Sequence, residues 1–242
     1  MSICIITDSV ATFPATSIGH RNLQIVMPRS EKGIPQLPTA GDFLRTFNSV
    51  NHDMLVLAAS SDILPGFEIA SHAADQHGGT NHITVIDSRQ IGAGLGYLAL
   101  SACQVALTGL SLNELETHVR ASIGDIYTMI AINAGARDEN TEESADGTSI
   151  YSIDDGQLSF FKKVRTRRHL LETFQEFLDE FEHPRGIAFA QGPDGSLRSR
   201  PLRELSASLF PGVSFSEQDF PALLLPIYGS GSACLTVYEP GG

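Results

Sequence analysis

Short runs of apolar residues in this chain end repeatedly in hydroxyls and carboxylates. Ile3–Ile6 leads into Thr7-Asp8-Ser9, Met54–Ala59 into Ser60-Ser61-Asp62, and Ile83–Ile86 into Asp87-Ser88-Arg89. If each run is a strand followed by a helix, these clusters combine hydroxyls, carboxylates and the free N–H groups of a helix start. That combination suits an anionic group such as a carboxylate or phosphate. Ser, Thr and Asp also cap helices with no ligand present. The same placement in all three segments points to a shared cleft.

Other motifs carry less chemistry. Gly92-Ala93-Gly94-Leu95-Gly96 has the spacing GxGxG and follows the apolar run only after Asp87-Ser88-Arg89-Gln90-Ile91, so it misses the dinucleotide fingerprint. It reads as glycine that lets a helix pack closely. Tyr228-Gly229-Ser230-Gly231-Ser232 does not fit GxSxG, has no assignable acid or histidine partner, and reads as a turn entering a last strand. His72, His77 and His82 fit neither HExxH nor an i,i+4 pair, so no metal is expected. Lys162-Lys163-Val164-Arg165-Thr166-Arg167-Arg168 is the one basic cluster, read as a solvated strand-to-helix junction.

The elements that would position these residues follow from pattern. Continuous apolar runs suit strands buried on both faces, as in a parallel sheet. Helices are expected over 67–76, with Pro65 in the first turn, over 94–107, and again from Ser111, where Glu114 completes a capping box. Strand, polar turn and helix in repetition argue for a doubly wound α/β layer. Beyond Tyr127–Ile132 the pattern changes. Residues 137–147 are acidic and aperiodic, and read as an exposed loop and domain boundary, giving domains 1–136 and 137–242. A hairpin is expected from Ser149–Ile153 and Leu158–Val164 around Asp154-Asp155-Gly156. An amphipathic helix over 169–181 carries Leu170, Phe174, Phe177 and Phe181 on one stripe, and Ile187–Ala190 and Ala233–Tyr238 read as further strands.

Composition narrows the classes. Apolar residues are 42% and charged residues 18% of 242, which is globular, and no apolar run reaches membrane-spanning length. The apolar start has no basic region before it and reads as a strand, not a signal peptide. A net charge of −12 disfavours nucleic acid. Cys4, Cys103 and Cys234 are odd in number, widely spaced and in apolar runs, so they read as free thiols in a reducing, cytoplasmic setting.

These segments together resemble the DegV family. Thr7-Asp8-Ser9 with Phe13-Pro14 is similar to its "TDS…LP" opening. Pro38-Thr39-Ala40-Gly41-Asp42-Phe43 resembles "QPSPGDF", and Leu57-Ala58-Ala59-Ser60-Ser61 resembles its "ISS" strand end. Val85-Ile86-Asp87-Ser88-Arg89-Gln90-Ile91 with Gly94-Leu95-Gly96 resembles "VIDSRQVSMGLG", the most specific match. Gly109-Leu110-Ser111-Leu112 is similar to "GxSL", and Gly156-Gln157-Leu158 through Arg167 to "DGxI…KVRTRKKAL". The order holds over almost the whole chain.

The chain departs from the family at several points. In the "SSxLSGTYQ" region, Ser60 to Glu68 lack the second serine and the threonine, and the histidine of "HxGPG" is replaced in Tyr228 to Ser232. The pattern is that of a divergent and shortened member. The resemblance implies a two-domain α/β fold, with a parallel-sheet N-terminal domain and a second α/β domain with a mixed or antiparallel sheet. It implies a long-chain fatty acid or similar lipid in a tunnel between the domains, no other cofactor, and no catalysis by the chain itself. A separate fatty acid kinase is an implied partner, with Arg165 and Arg167 as its candidate contacts. The headgroup candidates are Ser60, Ser61, Thr39, Tyr228, Ser230, Asp8 and Ser88. The alternatives are a small-molecule enzyme using Asp8 and Asp87, or a regulatory module with 138–146 as contact surface.

Overall fold

The structure is a computed structural model that describes residues 3–15, 22–28, 35–132 and 143–241. It divides into two compact units, the first 1–124 with 155–157 and the second 125–154 with 158–242. The division falls ahead of the expected 136/137, because the strand Ile126–Ile132 pairs with strands of the second half. Of the acidic stretch read as a loop, 137–142 lie outside the described residues, and Glu143 already begins a strand that runs to Asp154.

The first unit holds a parallel sheet. Its strands β1 (Ile3–Asp8), β2 (Leu23–Val26), β3 (Asp53–Ala58) and β4 (Ile83–Asp87) lie in the order β2-β1-β3-β4. Every pairing is parallel, so the carboxyl ends share one edge. β1 and β3 are buried almost throughout. Helices α1 (Ala40–Ser49) and α2 (Gly66–Asp75) cover one face, where Phe43, Phe47, Ala70 and Ala73 pack on Cys4, Ile6, Met54 and Val56. Helix α3 (Gly92–Ala106) packs against β1, and α4 (Leu112–Ser122) against β3 and β4. The α4 start is the expected one: Ser111 accepts from Glu114 N, and the Glu114 carboxylate receives the Ser111 N–H at 2.8 Å.

The second unit is a mixed sheet. β5 (Ile126–Ile132), β6 (Glu143–Asp154), β7 (Gln157–Thr166), β8 (Gly186–Gln191), β9 (Ser214–Asp219) and β10 (Ala233–Tyr238) lie in the order β7-β6-β5-β10-β8-β9. β10 is antiparallel to β5 and β8, whereas β8 and β9 are parallel. Helix α5 (Arg167–Leu178) supplies Leu170, Phe174 and Phe177 to the core, with Phe181 packed against it, so the expected stripe faces inward. Helix α6 (Arg200–Leu209) adds Leu202. A short helix, α7 (Leu225–Tyr228), precedes the turn into β10.

The two faces of this sheet differ. Met129, Ala131, Leu235, Val237, Ile187 and Phe189 enter the core built with α5 and α6. The alternating residues Thr128, Ile130, Cys234, Thr236, Ala188 and Ala190 are buried on the opposite face. Sequence periodicity missed α1, α6, β2 and β9, which are short and only partly apolar.

Candidate functional site

In the first unit the chain passes from β1 to β2 on one side, and from β3 through α2 to β4 on the other. The strand order therefore reverses between β1 and β3. Open α/β sheets bind ligands outside the carboxyl ends at such a reversal. Asp8 ends β1 there and is 0% exposed. Its carboxylate accepts from Val10 N at 2.9 Å and from Ala59 N at 3.0 Å, joining the two loops that leave β1 and β3. A Cβ on Gly66 would stand 3.1 Å from Asp8 Oδ2, so the first residue of α2 rests on the carboxylate. Burial raises the Asp8 pKa above the usual carboxylate value, and the backbone N–H groups of Ala59 and Val10 oppose that rise.

The serines lie at the same edge and are engaged. Ser60 is fully buried, and its hydroxyl donates to Gly156 O at 2.7 Å. Ser61 Oγ donates to Asp87 Oδ2 at 2.6 Å, and Asp87 Oδ1 accepts from Arg89 N at 3.0 Å. Ser88 Oγ donates to Gln90 O at 3.2 Å and accepts from Gln90 N at 3.1 Å. Thr7 Oγ1 donates to Leu57 O at 2.9 Å. Ser60, Ser61, Asp8 and Ser88 are therefore brought together by the register of β1, β3 and β4.

The expected turn in the β6–β7 hairpin is present, and residues 155–157 group with the first unit. Asp155 and Gly156 have φ of 49° and 88°, which fits a two-residue hairpin turn. Arg89, itself at φ 54°, donates from Nη1 to Asp155 O at 2.7 Å. A Cβ at Gly156 would meet Ser60 Oγ at 2.8 Å, so only glycine leaves this carbonyl beside the serine. Sequence reading missed Arg89 and Gly156 as partners of the cluster. Gly156 lies 96 residues from Ser60, and its only local signal is the Asp-Gly turn.

The other candidates have separate surroundings. Thr39 is the exposed N-cap of α1: its N–H and hydroxyl donate to Asp42 Oδ2 at 2.8 and 2.7 Å. Tyr228 and Ser230 belong to the second unit. The Tyr228 carbonyl accepts from Ser232 Oγ at 2.7 Å, and burial pushes its phenol above the ordinary range. Ser230 Oγ donates to Asp194. The segment 228–232 is the expected turn into β10, with Gly229 at φ 91°. Arg165 is the penultimate residue of β7 and Arg167 begins α5, both exposed, so the basic cluster is a strand-to-helix junction.

The glycine run also has a structural role. A Cβ on Gly96 would lie 2.0 Å from Thr12 O, and Thr12 N donates to Gly92 O at 3.1 Å. Gly96 thus lets α3 pack against the loop leaving β1. All three cysteines are free and buried, with Cys4 pushed up to about 11 and Cys103 and Cys234 to about 12 by burial. Such thiols are poor nucleophiles at neutral pH. No helix of the described residues is long and apolar enough to cross a membrane.

Comparison with known proteins agrees with this architecture. The family model described as "Uncharacterised protein, DegV family" matches residues 28–134. A DegV domain-containing protein of Clostridium acetobutylicum is 28% identical, with the match covering 60% of this chain and 57% of that one. Among solved structures, Bacillus subtilis DegV, described as a fatty acid binding protein, superposes with a TM-score of 0.81 at 18% identity, covering 99% of this chain and 100% of that one. A DegV family protein from Eubacterium eligens loaded with heptadecanoic acid gives a TM-score of 0.78 at 14% identity, covering 98% and 100%. The family model's match over part of the chain, the curated relative and the shared fold all make this chain similar to DegV family proteins.

Proposed function

We propose that this protein binds a long-chain fatty acid or similar lipid, with the anionic headgroup at the carboxyl edge of the parallel sheet. The observation that carries the reading is the serine and aspartate cluster at the β1/β3 reversal, in a chain whose full length follows the fold of the fatty-acid-loaded Eubacterium eligens protein. An acyl chain needs apolar surface. Burying the chain contributes roughly 0.8 kcal/mol per methylene. The carboxylate must find donors, because an unpaired buried charge costs several kcal/mol.

The same geometry argues for binding over catalysis. Asp8 holds two backbone N–H groups and is shut from solvent, and Asp87 is held by Ser61 and Arg89. Neither carboxylate is placed to take a proton from a substrate. If a kinase receives the bound acid, exposed Arg165 and Arg167 are its proposed contacts. Charge reversal at both should weaken capture of that partner and leave lipid binding unchanged.

The test is a titration of delipidated protein with oleate and palmitate. The proposal expects saturable binding of one molecule per chain. Absence of binding to either acid, in a chain that still melts cooperatively, would refute it.

A further inference from the structure

We infer that Ser9 is the donor this site holds ready for its ligand's anionic headgroup. The inference rests on the lipid-binding reading above and assigns the first hydrogen bond within it.

At the carboxyl edge of the parallel sheet, Thr7 donates to Leu57 O, Ser60 to Gly156 O, Ser61 to Asp87 and Ser88 to Gln90 O. Away from this edge, Thr39 donates to Asp42 and Ser230 to Asp194. These protons are spent inside the protein, and an arriving carboxylate would have to break one of those bonds to gain another. Ser9 differs. Its Oγ is shut from solvent and has no hydrogen-bond partner among the described residues. A buried hydroxyl without a partner costs about as much as a lost hydrogen bond, so its retention calls for an explanation.

Position supplies that explanation. Ser9 is the first residue beyond β1, at the strand-order reversal where a ligand is expected. Its neighbours on both sides are fixed. The Asp8 carboxylate binds Val10 N and also Ala59 N, the residue before Ser60. The Ser9 backbone is thereby anchored beside the Ser60-Ser61 turn while its hydroxyl stays uncommitted. One change of χ1 rotamer re-aims that hydroxyl without moving the backbone. A hydroxyl presented this way donates to a carboxylate or other anionic lipid headgroup and gives a neutral ester much less.

The experiment uses the full chain, with S9A and S9T variants titrated with oleate and with methyl oleate, and each apo protein melted. S9A should weaken oleate on the order of tenfold or more, the size of a hydrogen bond to a charged group. Its affinity for methyl oleate should change little, so the preference for the free acid narrows. S9T should restore that preference. The apo melting temperature of S9A should hold or rise, because the variant deletes an unpartnered buried hydroxyl. A purely structural serine predicts the opposite: a lower apo melting temperature and an unchanged acid-to-ester ratio. That result, or S9A binding oleate as the wild type does, overturns the role of Ser9 alone. A wild-type chain that binds neither ligand overturns the lipid reading and the Ser9 assignment with it.

Discussion

Asp8 shows how a buried carboxylate can hold the end of a sheet together. Its two oxygens satisfy the N–H groups of Val10 and Ala59, donors that would otherwise be stranded where the sheet ends. Asp8→Ala should therefore destabilise the fold by about 2 kcal/mol or more, measured by urea denaturation. Asp8→Asn keeps one acceptor and should cost less. The pH dependence has a definite sign. Desolvation raises the folded-state pKa above the unfolded one, so the folded chain binds this proton more tightly. Ionising Asp8 then lowers stability as pH rises from the ordinary carboxylate range through the folded pKa. Asp8→Asn should flatten that part of the stability profile. A wild-type profile identical in slope to Asp8→Asn would contradict this account.

The role of Asp8 is only partly legible in the sequence. An aspartate after an apolar run announces a strand end, but not whether its oxygens face ligand or backbone. Both partners lie in loops, one of them 51 residues away. Thr39 has the same ambiguity, and its hydroxyl is occupied by the α1 capping box. Residue type and spacing located the cluster, whereas the direction of each hydrogen bond depends on tertiary contacts.

At the scale of elements, the packing of α3 on the loop after β1 depends on Gly96. A side chain there would drive a Cβ to 2.0 Å from Thr12 O, which is backbone and cannot turn aside. Gly96→Val should separate helix from loop and cost several kcal/mol, and Gly96→Ala a smaller part of that, read as falls in melting temperature. Because Thr12 follows the Ser9 loop closely, the valine variant should lose fatty acid binding with stability. A Gly96→Val protein as stable as wild type would show that α3 does not pack as described.

The elements with strong periodicity or chemistry were readable in advance. The Ser111 capping box starts α4, and the Leu170, Phe174 and Phe177 stripe fixes the buried face of α5. The weak ones were not. β2 is four residues long and β9 reads Ser-Phe-Ser-Glu-Gln-Asp, whose polar residues carry no strand signal outside the sheet they complete. The glycine run has a packing role that its spacing alone suggests, visible in the Thr12 carbonyl lying against Gly96.

At the scale of the whole molecule, two sheets divide the work. A parallel sheet with helices on both faces ends in the hydroxyl and carboxylate edge, and a mixed sheet presents one face to α5 and α6. The change from uninterrupted apolar runs to hairpins marked two domains in the sequence. The point of division did not follow composition. It falls at Gly124 because β5, although apolar like the early strands, finds its partners in β6 and β10. Strand pairing across more than a hundred residues leaves no local trace.

We propose that the molecule carries a fatty acid. Protein purified without added lipid, denatured in organic solvent and extracted, should release a long-chain fatty acid in near-equimolar amount by mass spectrometry. Extracts repeatedly free of any acyl species, from protein that also fails to take up oleate afterwards, would contradict the account.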